Sequence, residues 1–121
     1  MDFEIDSKIP IYVQIIDFMK KRIIVGEIKG GDRLPSVREY ASEMKVNPNT
    51  IQRVYTELEN QQLIYTQRGI GKFVTEDENV INEVKIDIFN ETIDRFIKDS
   101  RELGFTKDEI VSIISKRFGE G

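Results

Sequence analysis

The chain has 121 residues, 39% of them hydrophobic and 33% charged, which suits a soluble, helix-rich protein built as one compact domain or a small domain with an appendage. It contains neither Cys nor His, which excludes disulfides, thiolate metal sites and any Ser/His or Cys/His catalytic pair; neither an enzyme nor a bound cofactor is expected, and a reducing cytoplasm is the expected location. The net charge of −4 is unevenly divided: residues 1–75 hold 11 Lys and Arg against 10 Asp and Glu, whereas residues 76–121 hold 7 against 12, so the acidity belongs to the tail.

Ile11, Ile15, Phe18, Met19, Ile23 and Ile24 recur at helical spacing and predict an amphipathic helix from Ile11 to Val25. Pro10 suits its first turn and Gly26 its end, while Lys20, Lys21 and Arg22 crowd the last turn, where the helix dipole favours cations. Gly30-Gly31-Asp32 signals a turn, with Arg33-Leu34 as a short strand before Pro35. Ser36 and Glu39 form a capping box for a helix from Val37 to Met44 that buries Val37, Tyr40, Ala41 and Met44. After a turn at Lys45-Val46, Asn47 caps the next helix and Pro48 opens it. Its buried stripe is Ile51, Val54, Tyr55 and Leu58, and it ends near Gln61-Gln62.

Leu63 to Gln67 and Lys72-Phe73-Val74 flank Arg68-Gly69-Ile70-Gly71 and predict a β-hairpin. Three helices followed by a hairpin make a winged helix-turn-helix. Residues 76–83 read as a polar, acidic link. Val84, Ile88, Phe89, Ile93, Phe96 and Ile97 then mark a second amphipathic helix that ends at Leu103-Gly104. Thr106 and Glu109 form another capping box, with Phe105 and Ile110 as a hydrophobic staple, for a final helix to about Phe118. No apolar run approaches the ~18 residues of a membrane span, and the acidic, alternating N-terminus is unlike a signal peptide.

The helix opened by Pro48 carries the chemistry. Opposite its buried stripe it presents Asn49, Gln52, Arg53, Thr56 and Asn60, with Asn47 and Thr50 at its N-terminal tip. These side chains suit base edges: Asn and Gln pair with adenine, Arg with guanine. The same face also fits a solvated helix with ordinary caps, and only its place as the second helix of the motif favours reading. Arg38 fits either a phosphate clamp or a surface ion pair with Glu39 or Glu43. Arg68, Gly69, Gly71 and Lys72 form the hairpin tip, where glycines leave room for a nucleic-acid backbone and the two cations suit phosphate or the minor groove. Two apolar stripes on about 45 tail residues exceed what so short a segment buries alone, which favours pairing with a second copy over folding back on the same chain.

Pro10-Ile11-Tyr12 with Gln14-Ile15, then Gly31-Asp32-Arg33-Leu34-Pro35-Ser36-Val37-Arg38, resembles the N-terminal domain of GntR-family bacterial transcription regulators. Val46 to Tyr55 and Arg68 to Val74 continue the pattern, so the resemblance covers about residues 9–75. The short two-helix tail resembles the YtrA subfamily. The resemblance implies a dimer on an inverted repeat, with recognition helices in successive major grooves and wings alongside. By position, Arg38, Asn49, Thr50, Arg53 and the Gly69 tip match DNA-contacting positions of the family. Pro48 and Gln52 stand where some relatives have Arg, so those relatives' base preference does not transfer.

The fold expected is α+β and mostly α: a winged helix-turn-helix domain over residues 1–75, then a two-helix dimerisation segment over residues 76–121. The function expected is a homodimeric, sequence-specific DNA-binding regulator, a repressor, with double-stranded DNA and a second copy as partners, no membrane, and an effector left unidentified. Its DNA-contacting set is Arg38, Asn47, Asn49, Thr50, Gln52, Arg53, Arg68, Gly69 and Lys72. The competing reading is a winged-helix module that binds protein and not DNA, which the near-neutral front segment favours.

Overall fold

The computed structural model describes residues 3–119. In chain order it contains α1 (Ile11–Ile24), α2 (Val37–Met44), α3 (Pro48–Asn60), β1 (Ile64–Gln67), β2 (Gly71–Val74), α4 (Glu78–Glu102) and α5 (Lys107–Arg117). This is an α+β winged helix-turn-helix followed by two C-terminal helices. The chain divides into two compact units, Met1–Lys85 and Ile86–Gly121.

In the first unit α3 is central, packing against α1, α2 and β1. Its stripe Ile51, Val54, Tyr55 and Leu58 is fully buried, as the spacing predicts. Ile15, Ile16, Met19 and Ile23 of α1, Tyr40 and Ala41 of α2, and Leu34, Leu63, Ile64 and Val74 complete the core. Val37 and Met44, expected inside, are only half-buried, because α2 is short and its ends lie at the rim.

The caps follow the sequence closely. Glu39 N–H donates to Ser36 Oγ at 3.1 Å, and Ser36 N–H donates to the Glu39 carboxylate at 3.0 Å. Asn47 caps α3 by accepting the Asn49 N–H at 2.8 Å, with Pro48 in the first turn. Between α2 and α3 the chain reverses at Lys45, which takes a left-handed φ of 59°. Lys45 N–H then donates to Ser42 O and Val46 N–H to Ala41 O, satisfying carbonyls that the helix end exposes. Gln62, at φ 62°, ends α3 by the same device, its N–H donating to Glu59 O and that of Leu63 to Leu58 O.

β1 and β2 pair antiparallel, Ile64 opposite Val74 and Gln67 opposite Gly71. Residues 31–34 line the other side of β2: Gly31 N–H donates to Val74 O, Val74 N–H to Asp32 O, and Leu34 N–H to Lys72 O, with Arg33 bridged to Phe73. The expected Arg33-Leu34 strand is thus reduced to a single bridge at Arg33 beside the two-stranded wing. Gly30 is needed there for close approach, since a Cβ would lie 2.9 Å from the Thr75 carbonyl oxygen.

One expectation is corrected. Residues 78–83, read as part of a link, are the first turns of α4. Asp77 is the reason: its carboxylate accepts the Asn79 N–H at 3.0 Å and its carbonyl accepts the Ile81 N–H, so it acts as a cap, with Glu78 favourably placed in the first turn. Beyond the end of α4 at Glu102 the chain turns at Gly104, φ 82°, and Thr106 and Glu109 form the expected capping box of α5. No residue of α5 is buried. Phe89, Phe96, Phe105, Val111, Ile113 and Phe118 are all exposed.

Candidate nucleic-acid interface

The outward face of α3 is built as the helical wheel requires. Asn49, Gln52, Arg53, Thr56 and Asn60 are all exposed, as is the cap Asn47, while Thr50 at the tip is half-buried. Gln52 Nε2 donates to Thr56 Oγ1 at 3.3 Å, one turn along. Among the described residues no side-chain hydrogen bond holds Asn49, so its amide is free to meet a base edge.

Arg53 is the single cation of α3. Its guanidinium carbon lies 3.6 Å from the centroid of the Tyr12 ring, in the first turn of α1. Nothing in the local spacing of Tyr12 shows that it meets α3. The Pro10-Ile11-Tyr12 run was the available signal.

Arg38, in the first turn of α2, is exposed, and no ion pair with Glu39 or Glu43 forms among the described residues. Glu39 is instead committed to the Ser36 cap, whose N–H holds its carboxyl below the ordinary value of 4.5. On the wing, Arg68 and Gly69 are exposed at the turn; Gly69 takes φ 80° and Ile70 N–H donates to Gln67 O at 3.0 Å. Arg33 crosses the base of this turn, where a Cβ on Gly71 would meet its Nε at 3.0 Å.

Lys72 stands apart from the other cations. It is half-buried and ion-paired with Glu59 of α3, and its ammonium donates to Thr66 Oγ1 at 2.8 Å. The Lys72 ammonium holds the Glu59 carboxyl below the usual carboxylate range. Arg33 and Glu59 were not foreseen, since each acquires its role through a partner distant in sequence.

A buried three-helix frame, an outward polar face on its third helix and a basic, glycine-turned wing define the winged helix-turn-helix class of DNA-binding regulators. The family described as bacterial regulatory proteins, gntR family, matches residues 11–74, and the chain belongs to that family. It is 45% identical over 121 residues to the HTH-type transcriptional regulator YhcF of Bacillus subtilis, covering 100% of this chain and 99% of that protein. It is 38% identical over 105 residues to the HTH-type transcriptional repressor YtrA of the same species, covering 86% of this chain and 81% of that one. Among solved structures, a GntR family transcriptional regulator from Listeria monocytogenes superposes with a TM-score of 0.85 at 42% identity, covering 93% of this chain and 98% of the other. The DNA-binding domain of AraR in complex with operator superposes with a TM-score of 0.53 at 26% identity, covering 62% of this chain and 94% of that domain. The protein is thus a DNA-binding transcriptional regulator. No helix among the described residues is long and apolar enough to cross a membrane.

Proposed function

We propose that this regulator is a YtrA-like repressor that acts as a homodimer on a short inverted-repeat operator. The observation that carries the reading is the exposed row Asn49, Gln52, Arg53, Thr56 and Asn60 on the helix whose opposite stripe, Ile51, Val54, Tyr55 and Leu58, is fully buried. Arg53 and Asn49 read bases in the major groove, with Gln52 beside them, and Asn47 and Thr50 meet the backbone at the helix tip. Arg38, Arg68 and Lys72 hold phosphates, and the Gly69 turn lets the wing approach the duplex. The related AraR domain, solved in complex with an operator, supports duplex DNA as the partner of this fold.

Reading lies within residues 1–75 and subunit pairing within residues 76–121. The pairing is supported by α5, which buries no residue of its own, and by Phe89 and Phe96 exposed on α4. Such apolar surface on two helices is covered most simply by a second copy about a twofold axis. With residues 1–75 near neutral, a single reading head has little bulk attraction for phosphate, so affinity rests on placed residues and on dimer pairing. An effector, if one acts, is of unidentified chemistry.

The test is selection of bound duplexes from a random pool, followed by titration of the selected site at several salt concentrations. A palindromic consensus is expected, with affinity falling steeply as salt rises through counterion release. Arg53→Ala is expected to lose ~1–3 kcal/mol and to flatten preference at one position of each half-site. Absence of duplex binding at low salt overturns the proposal in favour of a protein-docking module.

A further inference from the structure

We propose that Tyr12 is a positioning residue for Arg53, contributing to operator specificity through the guanidinium and without itself reading a base. The inference rests on the reading of Arg53 as a base-contacting residue and adds the element that orients it.

Arg53 is exposed, and among the described residues it forms neither an ion pair nor a hydrogen bond; its guanidinium lies over the Tyr12 ring. This outcome is selective. Asp17 and Glu57 line the same hollow as Tyr12 and Arg53, so carboxylates were at hand, yet the planar group stacks on the aromatic face. Stacking engages the π face of the guanidinium and none of its N–H groups. All five donors therefore stay free in their fork, the arrangement that bidentate recognition of guanine O6 and N7 requires. A bidentate carboxylate partner would have occupied two of those donors along one edge of the fork.

Tyr12 can serve as a platform because the start of α1 is itself pinned. The Gln14 side chain accepts the Asp6 N–H at 2.7 Å and donates to the carbonyls of Asp6 and Ile9 at 2.6 and 2.7 Å. Val13 N–H donates to Pro10 O, and Ile15 and Ile16 just beyond are buried against the frame. The chain of support thus runs from the clamped first turn of α1, through the Tyr12 ring, to the single cation of the reading helix. An unsupported arginine would sample many rotamers and lose them on binding; a stacked one meets the groove already oriented.

The experiment uses the full chain and the selected duplex with each base pair varied in turn. Tyr12→Phe retains the ring and is expected to bind like the parent. Tyr12→Leu removes the π face and is expected to reduce discrimination about two- to fivefold at the base pair that Arg53→Ala flattens, and nowhere else. In an Arg53→Ala background, Tyr12→Leu is expected to have no further effect. Tyr12→Trp, a stronger cation partner, is expected to keep or raise that discrimination, and it supplies the reading if Tyr12→Leu folds poorly. A uniform loss across all positions, additive with Arg53→Ala, overturns the inference by showing a role in packing alone. A gain of affinity on removing the ring also overturns it, since the stack would then withdraw Arg53 from DNA. If Arg53→Ala flattens no position, the base-reading assignment itself falls, and this inference with it.

Discussion

Glu59 on α3 and Lys72 on β2 are joined by an ion pair, and Thr66 closes the group as a triangle, donating to the Glu59 carboxylate at 3.0 Å and accepting from the Lys72 ammonium at 2.8 Å. α3 and the wing are thereby tied to each other through the cation proposed to meet phosphate. A lysine held by a carboxylate displaces fewer counterions from DNA than a free one.

Glu59→Gln is therefore expected to bind operator at least as tightly as the parent at low salt. Its plot of log affinity against log salt should be steeper by about one unit, and Lys72→Met should be shallower than Glu59→Gln by a similar amount. Titrations at graded salt concentrations check both.

Acid should loosen both capping boxes and this tether together. The carboxyls of Glu39 and Glu109 are held below 4.5 by the N–H groups of Ser36 and Thr106, and that of Glu59 by Lys72. A carboxyl whose folded value is depressed stabilises the fold above its unfolded value and loses that contribution as pH falls through the folded one. Urea midpoints should therefore fall as pH drops below about 4.5, and less so in a Glu39→Gln, Glu109→Gln double variant.

At the alkaline end the tyrosines of the core decide. Burial pushes the Tyr55 phenol well above its ordinary value of 10, and Tyr40 shifts the same way for the same reason. The associated stability is fully present below pH 10 and is lost as pH rises toward the folded values. Tyr55 Oη also donates to Pro35 O at 2.8 Å, tying α3 to the segment that leads into α2. Tyr55→Phe should cost about 1 kcal/mol at neutral pH and reduce the alkaline loss, both read from denaturant titrations.

Gln62 ends α3 at φ 62°, a left-handed geometry that a side chain disfavours. Gln62→Gly should stabilise the protein by roughly 0.5–1 kcal/mol, whereas Gln62→Val should destabilise it. Thermal melts of the two variants beside the parent provide the check.

Phe89 and Phe96 expose apolar surface on α4 that pairing of copies would cover. Phe89→Asp with Phe96→Asp is expected to yield a monomer in sedimentation equilibrium. Operator affinity should then fall on the order of a hundredfold as the linkage between half-sites is lost, while circular dichroism shows the winged fold intact.

The elements of this fold were legible because they depend on neighbours in sequence. The Ser36-Glu39 box, the Asn47-Pro48 opening and the Ile51-Val54-Tyr55-Leu58 stripe are all written within one or two helical turns, and each appears where its spacing puts it. The outer face of α3 follows by subtraction, since residues opposite a buried stripe must face outward. The start of α4 is not legible in the same way, because Asp77 and Glu78 lie in an acidic run, where a cap looks like one more charge in a link.

The chain's residues alone therefore determined where α3 begins and ends, which stripe it buries and which side chains it turns outward, because helical periodicity and capping are local effects. Only tertiary structure decided how the cations are held: Arg53 on Tyr12, Arg33 across Gly71, and Lys72 against Glu59. Tyr12 and Arg53 belong to different helices and come together through the burial of Ile15, Ile16, Ile51 and Val54 between α1 and α3. A charge is visible in sequence, but its partner is chosen by packing, and no local pattern encodes that choice.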